Sequence, residues 1–378
     1  MRIACYGLVE RTAGSVASAN FLLLDELLRR GHTIGFYAKA DFVHPTELFQ
    51  YDNFVYEGVL LSSPLFLSEN TIHSLGSIFG RVQQEWDYHN HLKALSNRLE
   101  RDHAQDPYDV LLFLGNEPQF TVADLPVISW VQGPPQTEWQ AIERQRDVVI
   151  DLCGRGLYWK LKVFYTYKQL RVQNRLQNAD HVICGSEWSR GKIVEAGFER
   201  EQVSALPYPF DLDLFTPPEE APAPPEPPYT FLWLGRIDPR KRLDLLLDAF
   251  ERLMHERRDV HLDIVGRFTY APEYKQLIDA FPYPDHINYR EHVERSAVPD
   301  LLQNADVLVQ PSEYENFGSS IAEALACGTP VVLGPTNGTG DYCREAAFRF
   351  DTYTPSALCA SLQQSLDALD EAPERVTQ

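Results

Sequence analysis

Cysteine is sparse in this sequence and never closely paired. The six residues (Cys5, Cys153, Cys184, Cys327, Cys343 and Cys359) include no C-x-x-C. That scatter gives neither a zinc ribbon nor a disulfide framework, so free and mostly buried thiols are expected. Long apolar runs are missing as well, and nothing approaches the ~18–20 residues that a bilayer-spanning helix needs. The start, MRIACYGL, has one basic residue ahead of a short strand-like run and no signal-peptide cleavage pattern. A cytoplasmic protein is therefore expected, touching a membrane at most peripherally on its inner face. Positive charge is the third shortage: 34 Lys and Arg stand against 54 Asp and Glu, a formal net charge of −20. Such a surface repels nucleic acid. Any anionic ligand has to be held by a local cluster of cations.

What is present is organisation. At 378 residues the chain exceeds one ordinary core, so two domains are expected. RIACYG is a short apolar run. ASANFLLLDELLRR then sets Phe21, Leu24, Leu27 and Leu28 on one helical face, Gly31 marks the stop, and TIGFYA returns as a strand. VLLFLG, VISWVQ and HVICGS follow as buried-type strands. Residues 216–228, TPPEEAPAPPEPP, hold seven prolines in thirteen positions and suit an exposed, extended boundary. Beyond them the alternation restarts with YTFLWLG, LDLLLDAFERL, HLDIVG, INYREHV, DVLVQPS and PVVLGP. Alternating strands and helices imply parallel sheets covered on both faces. The expected fold class is α/β, with two Rossmann-like, doubly wound parallel-sheet domains facing across a cleft. Their expected bounds are 1–212 and 229–378, with 213–228 as linker.

Two stretches carry chemistry. PSEYENFGSSIAEALACGTPVV, residues 311–332, reads as a strand end, a loop and a helix stopped by Gly328 and Pro330. A strand feeding a helix through a Gly-containing loop aims backbone N–H groups and the positive dipole end at an anion. Glu315 precedes that helix, and Glu323 lies about five residues in, or ~7.5 Å along its axis. A ligand with phosphates at one end and hydroxyls nearby, such as a nucleotide sugar, fits this spacing. Two solvated glutamates on a helix flank are the bland alternative, and a metal site lacks His or Asp at ligand spacing. The second stretch is LGRIDPRKRLDLLLDAF. Gly235 lets the chain turn, and Arg236 and Lys241 stand between a strand end and a helix start, where guanidinium and ammonium suit a diphosphate. Surface pairing with Asp238 and Asp244 is the alternative.

Together these stretches resemble the retaining glycosyltransferases of the GT-B fold, most closely glycosyltransferase family 4, the glycosyl transferases group 1. That family has a GR…K element after the first strand of its second domain and an E-x7-E motif. The matching residues are Gly235, Arg236 and Lys241, then Glu315, Phe317, Gly318, Glu323, Ala324, Gly328 and Pro330. HVICGSEWSRGKIVEAG and LPYPFDLDLFTP resemble the family's passage from first to second domain. The resemblance covers most of residues 180–335 and the amino-terminal half loosely. It implies transfer of a sugar from a nucleoside-diphosphate donor to an acceptor, with retention and without metal or cofactor. Arg236, Lys241 and Glu315 would be catalytic. Gly235, Asn316, Phe317, Gly318 and Glu323 would bind donor, with Glu323 on the ribose. Gly14 and Gln132 would lie on the acceptor side. A nucleotide-sugar binder without turnover and a sugar-nucleotide epimerase of the same fold are the alternative readings.

The chain departs from that pattern at several points. The first-strand loop, ERTAGSVAS, offers only Gly14 where a Gly-Gly pair is usual, and Gln132 stands where a histidine is usual. Gln can donate a hydrogen bond but is no base near neutral pH. Arg242 replaces the glycine that usually follows the lysine, and GPTNGTGDYC replaces a Gly-Gly-x-x-Glu turn. Outside the motifs, residues 155–175 hold six basic residues, no acids and five aromatics. They suit peripheral contact with an anionic membrane or a lipid-linked acceptor. They equally suit a helix packing Leu157, Leu161, Phe164 and Tyr165 inward. His89 and His91 point ~200° apart on a helix and cannot share an ion.

Overall fold

The computed structural model describes residues 1–11, 14–39, 45–59, 78–115, 117–134, 136–219, 225–343 and 346–371. Its first sheet is built from β1 (Arg2–Gly7), β2 (Thr33–Lys39), β3 (Phe54–Val59), β4 (Val110–Leu114), β5 (Val127–Trp130), β6 (His181–Cys184) and β7 (Val203–Ala205). They lie in the order β3-β2-β1-β4-β5-β6-β7. The β1–β2, β2–β3, β1–β4, β4–β5 and β5–β6 pairs are parallel. All five residues of β4 are buried, which is why it reads as an unbroken apolar run.

Among the described residues, the helices before β8 are α1 (Gly14–Arg29), α2 (Ile78–Gln105), α3 (Thr137–Arg144), α4 (Arg146–Leu176) and α5 (Glu187–Glu195). On α1, Phe21, Leu24 and Leu28 are buried as their spacing predicts. Gly31, at φ +81°, ends it. Its N–H donates to the Leu28 carbonyl and that of His32 to the Leu27 carbonyl, closing the helix in a Schellman motif. In this sheet's core Leu95, Leu99, Tyr108, Leu111 and Phe113 pack together.

The second sheet comprises β8 (Tyr229–Leu234), β9 (Val260–Val265), β10 (Ile287–Arg290), β11 (Val307–Gln310), β12 (Val331–Leu333) and β13 (Ala347–Arg349). Its order is β10-β9-β8-β11-β12-β13, and all five neighbouring pairs are parallel. This is the dinucleotide-fold order, with its reversal between β8 and β11. The helices here are α6 (Leu243–Glu256), α7 (Lys275–Asp279), α8 (Val298–Gln303), α9 (Ser319–Ala326) and α10 (Pro355–Glu371). Leu358, Leu362, Leu366 and Leu369, at helical spacing on α10, join Leu246, Phe250 and Leu253 of α6 in one core with Trp233. The short strands β7 and β13 and the edge strand β3 add to the set that periodicity predicts.

By packing, the chain divides into two compact units. One holds residues 1–131, 174–183 and 201–204; the other holds 132–173, 184–200 and 205–378. Residues 132–173 and 184–200, which precede the expected 213–228 boundary, thus pack with the second sheet's unit. Apolar contact explains it: Val148, Leu152 and Cys153 rest against that sheet's core, and Tyr165 against Tyr270. Within 213–228 the described residues form neither helix nor strand. All six cysteines are free thiols. Among the described residues no helix is long and apolar enough to cross a membrane.

Candidate functional site

In open α/β sheets ligands sit beyond the carboxyl ends of the strands where the strand order reverses. Both sequence elements arrive there: Gly235 and Arg236 follow β8, and residues 311–318 follow β11 and lead into α9. The strand ends are close. A Cβ on Gly266, just past β9, would lie 1.7 Å from the Gly235 carbonyl oxygen, so glycine is required there. Gly235 itself donates its N–H to the Val265 carbonyl at 3.0 Å.

The charges at this point form a chain. Lys241 Nζ lies 2.5 Å from Glu315 Oε2, and Arg240 Nη1 lies 3.0 Å from the same oxygen. On its other side Arg240 Nε approaches Glu138 Oε1 of α3 at 3.5 Å. Glu315 is only 8% exposed. Burial alone pushes its pKa up, but Arg240 and Lys241 outweigh it and hold the carboxyl down at about 2. The carboxylate is therefore ionised throughout the ordinary pH range. Arg240 is buried too, and despite desolvation its pKa rises because Glu315, Glu138 and Asp238 surround it. Arg236 differs: its side chain is 62% exposed, with Asp238 Oδ2 at 3.6 Å. Arg236 thus meets its expected aspartate, but Asp238 is buried and not on the surface, and Lys241 takes Glu315 instead of Asp244.

Glu323 is 3% exposed, in the middle of α9. Burial raises its pKa and Arg295 pulls it back, with Nη2 2.8 Å from Glu323 Oε1. The Arg295 guanidinium also lies 4.8 Å from the Phe215 ring centroid. Neither glutamate is a solvated helix-flank residue. Each faces a cation that burial makes consequential.

The loop between them is tied on every side. The Asn316 side chain donates to the Tyr208 hydroxyl at 2.6 Å and accepts from the Gly185 N–H at 3.2 Å. The Asn316 backbone carbonyl accepts from the Ser186 hydroxyl at 2.8 Å. Phe317 is buried with Tyr208 and Tyr342 rings beside it, at 5.4 and 6.1 Å. The Gly318 N–H, at the start of α9, donates to Thr339 Oγ1 at 2.7 Å, and that hydroxyl lies 3.2 Å from the Gly318 carbonyl. Asn316 and Gly318 therefore act here first as ties. The turn that replaces the family's Gly-Gly-x-x-Glu supplies those partners: Asn337 Oδ1 accepts from the Thr339 N–H, and Gly338 donates to the Glu315 carbonyl.

Arg242 shows what a side chain does at the position usually given to glycine. Its φ of +54° lies in the left-handed region. That conformation costs an L-residue roughly 1–2 kcal/mol. The buried guanidinium pairs with Asp244 at 3.1 Å and with Glu313. Removing one partner of such a buried pair costs about 3–5 kcal/mol, because the remaining charge is left uncompensated. Glu313 is almost fully buried, and burial raises its pKa against the pull of Arg242 and Arg144.

Sequence reasoning missed Arg240, Glu138, Glu313 and Arg295. A signal existed for Arg240, since Arg240-Lys241-Arg242 are three successive cations in a −20 chain. Arg295 had none, since it lies outside both motifs and opens a short 3-10 helix. Gln132, just after β5, is exposed, and a Cβ on the adjacent Gly133 would lie 3.6 Å from the Asn316 Cβ. Gly14 opens α1 in the other unit, exposed and at φ +59°. Among the described residues no three His, Cys, Asp or Glu side chains are grouped to hold a metal.

Comparison with known proteins agrees with this arrangement. Residues 218–377 match the family described as glycosyl transferases group 1. The D-inositol 3-phosphate glycosyltransferase of Xylanimonas cellulosilytica is 35% identical over 38% of this chain and 37% of its own. A GDP-mannose-dependent alpha-(1-6)-phosphatidylinositol monomannoside mannosyltransferase of Mycolicibacterium smegmatis is 26% identical over 51% of this chain and 53% of its own. The chain thus spans between about a third and about half of these relatives' length. Among solved structures, HepE of Anabaena in complex with UDP and glucose superposes with a TM-score of 0.60. It is 17% identical, with 100% of this chain and 94% of that one covered. Sucrose-phosphate synthase of Thermosynechococcus elongatus gives 0.65 at 17% identity, over 98% and 90%. The two parallel-sheet units are those of the GT-B fold, and residues 218–377 are similar to the glycosyl transferases group 1.

Proposed function

We propose that this chain moves a sugar from a nucleoside-diphosphate sugar to an acceptor, with retention at the anomeric carbon and with no resident metal or cofactor. The observation that carries the reading is the Arg240–Glu315–Lys241 cluster at the strand-order reversal, with the exposed Arg236 beside it. In this reading Arg236 and Lys241 receive the diphosphate and stabilise the charge that gathers on it as the glycosidic bond breaks. Preorganised charge of this kind commonly contributes more to rate acceleration than any other effect. Lys241 then exchanges part of its contact with Glu315 for a phosphate oxygen, which leaves Glu315 held by Arg240 and able to accept a sugar hydroxyl. Glu323, oriented by Arg295, accepts from the ribose hydroxyls.

The relatives' names support the donor class: one uses GDP-mannose, and HepE was solved with UDP and glucose. The acceptor in this reading is a small molecule, a glycan or a lipid-linked acceptor. The rival reading is a nucleotide-sugar binder without turnover, and Gln132, an exposed amide following β5, is the observation that favours it.

Thermal shift against UDP, GDP, dTDP and ADP tests the donor site. Ligand at ~100 times its dissociation constant adds ~2.7 kcal/mol to stability. One nucleotide is expected to stabilise the wild type and to do so less in Arg236→Ala. Turnover with the matching sugar nucleotide should fall in that variant by about 10²–10³. No shift with any nucleotide sinks the reading, and a shift without turnover favours the binder.

A further inference from the structure

An ordinary surface helix has one apolar stripe, which folding buries. The part of α4 beyond Gly154 has two. Gly154, at φ +82°, breaks α4, and the helix resumes through to Leu176. Tyr158 and Leu161 are buried and Tyr165 packs against Tyr270, so this face is the inner one. Phe164, expected among the inward residues, is not: it is more than half exposed. Trp159, Val163, Tyr167 and Leu170 are exposed as well, and the five range from 53 to 69%. At 100° per residue, Trp159, Val163, Tyr167 and Leu170 fall within about 80° of one another, opposite the inner face. Trp159 to Leu170 is about 16 Å of helix axis.

Charge decides what covers this stripe. Lys160, Lys168 and Arg171 flank it on one side; Arg155 and Lys162 flank it on the other. No acidic residue occurs between Asp151 and Asp180, although the chain as a whole carries −20. Lys162 Nζ lies 5.1 Å from the Trp159 ring centroid and the Arg171 guanidinium 6.0 Å from that of Tyr167, so cations border the rings of the stripe. A second copy of so acidic a chain would gain from the basic flanks, but it offers no reason for tryptophan, tyrosine and long basic side chains to share one edge. A membrane interface does. Aromatic rings settle at headgroup depth, apolar side chains enter the acyl boundary, and Lys and Arg reach anionic headgroups. We propose that this outer face of α4 binds the surface of an anionic lipid bilayer. The inference does not rest on sugar transfer.

Sedimentation with vesicles, carried out without nucleotide, tests it. Vesicles of phosphatidylcholine with 30% phosphatidylglycerol should pellet the full chain, and pure phosphatidylcholine should not; 0.5 M NaCl should release it. A basic residue near an anionic surface contributes roughly five-fold in partition. Lys160→Gln with Lys168→Gln should therefore weaken binding about 25-fold. Trp159→Gln, Val163→Gln, Tyr167→Gln and Leu170→Gln together should abolish it, while far-UV circular dichroism and nucleotide thermal shift stay at wild-type values. Equal pelleting on both vesicles overturns the proposal, as does no pelleting on either, or pelleting that the variants leave unchanged. So does a lipid-free dimer that the glutamine variant dissociates, since a second copy would then be what covers the stripe. None of these failures touches the donor site.

Discussion

Two cations meet one oxygen of Glu315, and that single convergence sets the acid–base behaviour of the residue. Its pKa falls from the usual 4.5 to about 2, so its favourable contribution is complete above about pH 4.5. That contribution is lost as the pH falls from there towards 2. Replacing Glu315 by Gln leaves Arg240 and Lys241 without their carboxylate, at a cost of about 3–5 kcal/mol at pH 7. Urea unfolding of wild type and Glu315→Gln should show this difference at pH 7 and a narrower one at pH 3. Glu313 and Glu323, whose pKa values are raised mainly by burial, titrate in both proteins and drop out of the comparison. A difference that stays constant with pH would mean that the glutamate is not held by these cations. The sequence placed Lys241 and Glu315 as charged residues 74 positions apart. It could not pair them, because pairing is a distance, and it passed over Arg240, whose charge is hidden between two residues of the motif.

The passage from β11 to α9 depends on its neighbour turn. Glu315 pairs its backbone with Thr336 and Gly338, and Gly318 rests on Thr339. A Cβ on Gly338 would meet the Asn316 carbonyl oxygen at 2.0 Å, so the two segments touch backbone to backbone. Thr339→Val keeps the shape of the side chain and removes the acceptor of a buried N–H. It should cost about 1–3 kcal/mol in urea unfolding, with nucleotide affinity lowered as the loop loosens. Stability within about 0.5 kcal/mol of wild type, a surface-like effect, would show that the Gly318 N–H finds water instead. Helix periodicity announced α1 well, because Phe21, Leu24 and Leu28 lie together on its buried side. It misjudged α4, where Phe164 belongs to a second apolar face that periodicity cannot distinguish from the first.

Each compact unit has its own parallel sheet and its own core, and large multi-unit chains commonly unfold in more than one step. Calorimetry should give two transitions, of which the bound nucleoside diphosphate raises only the one belonging to the unit with β8 and β11. Equal displacement of both would mean that the two unfold as one. At this scale the sequence by itself determined a good deal. Alternating apolar runs and amphipathic stretches specify parallel sheets because each element must bury a face of known period. Scarcity of positive charge directed the search for an anion site to Gly235, Arg236 and Lys241. Tertiary structure alone decided the rest: that Glu138 reaches Arg240, that Arg295 meets Glu323, and that residues 132–173 pack with the second sheet. Those contacts join segments tens to more than a hundred residues apart. Their energies come from burial and ångström-scale separation, which local sequence periodicity does not encode.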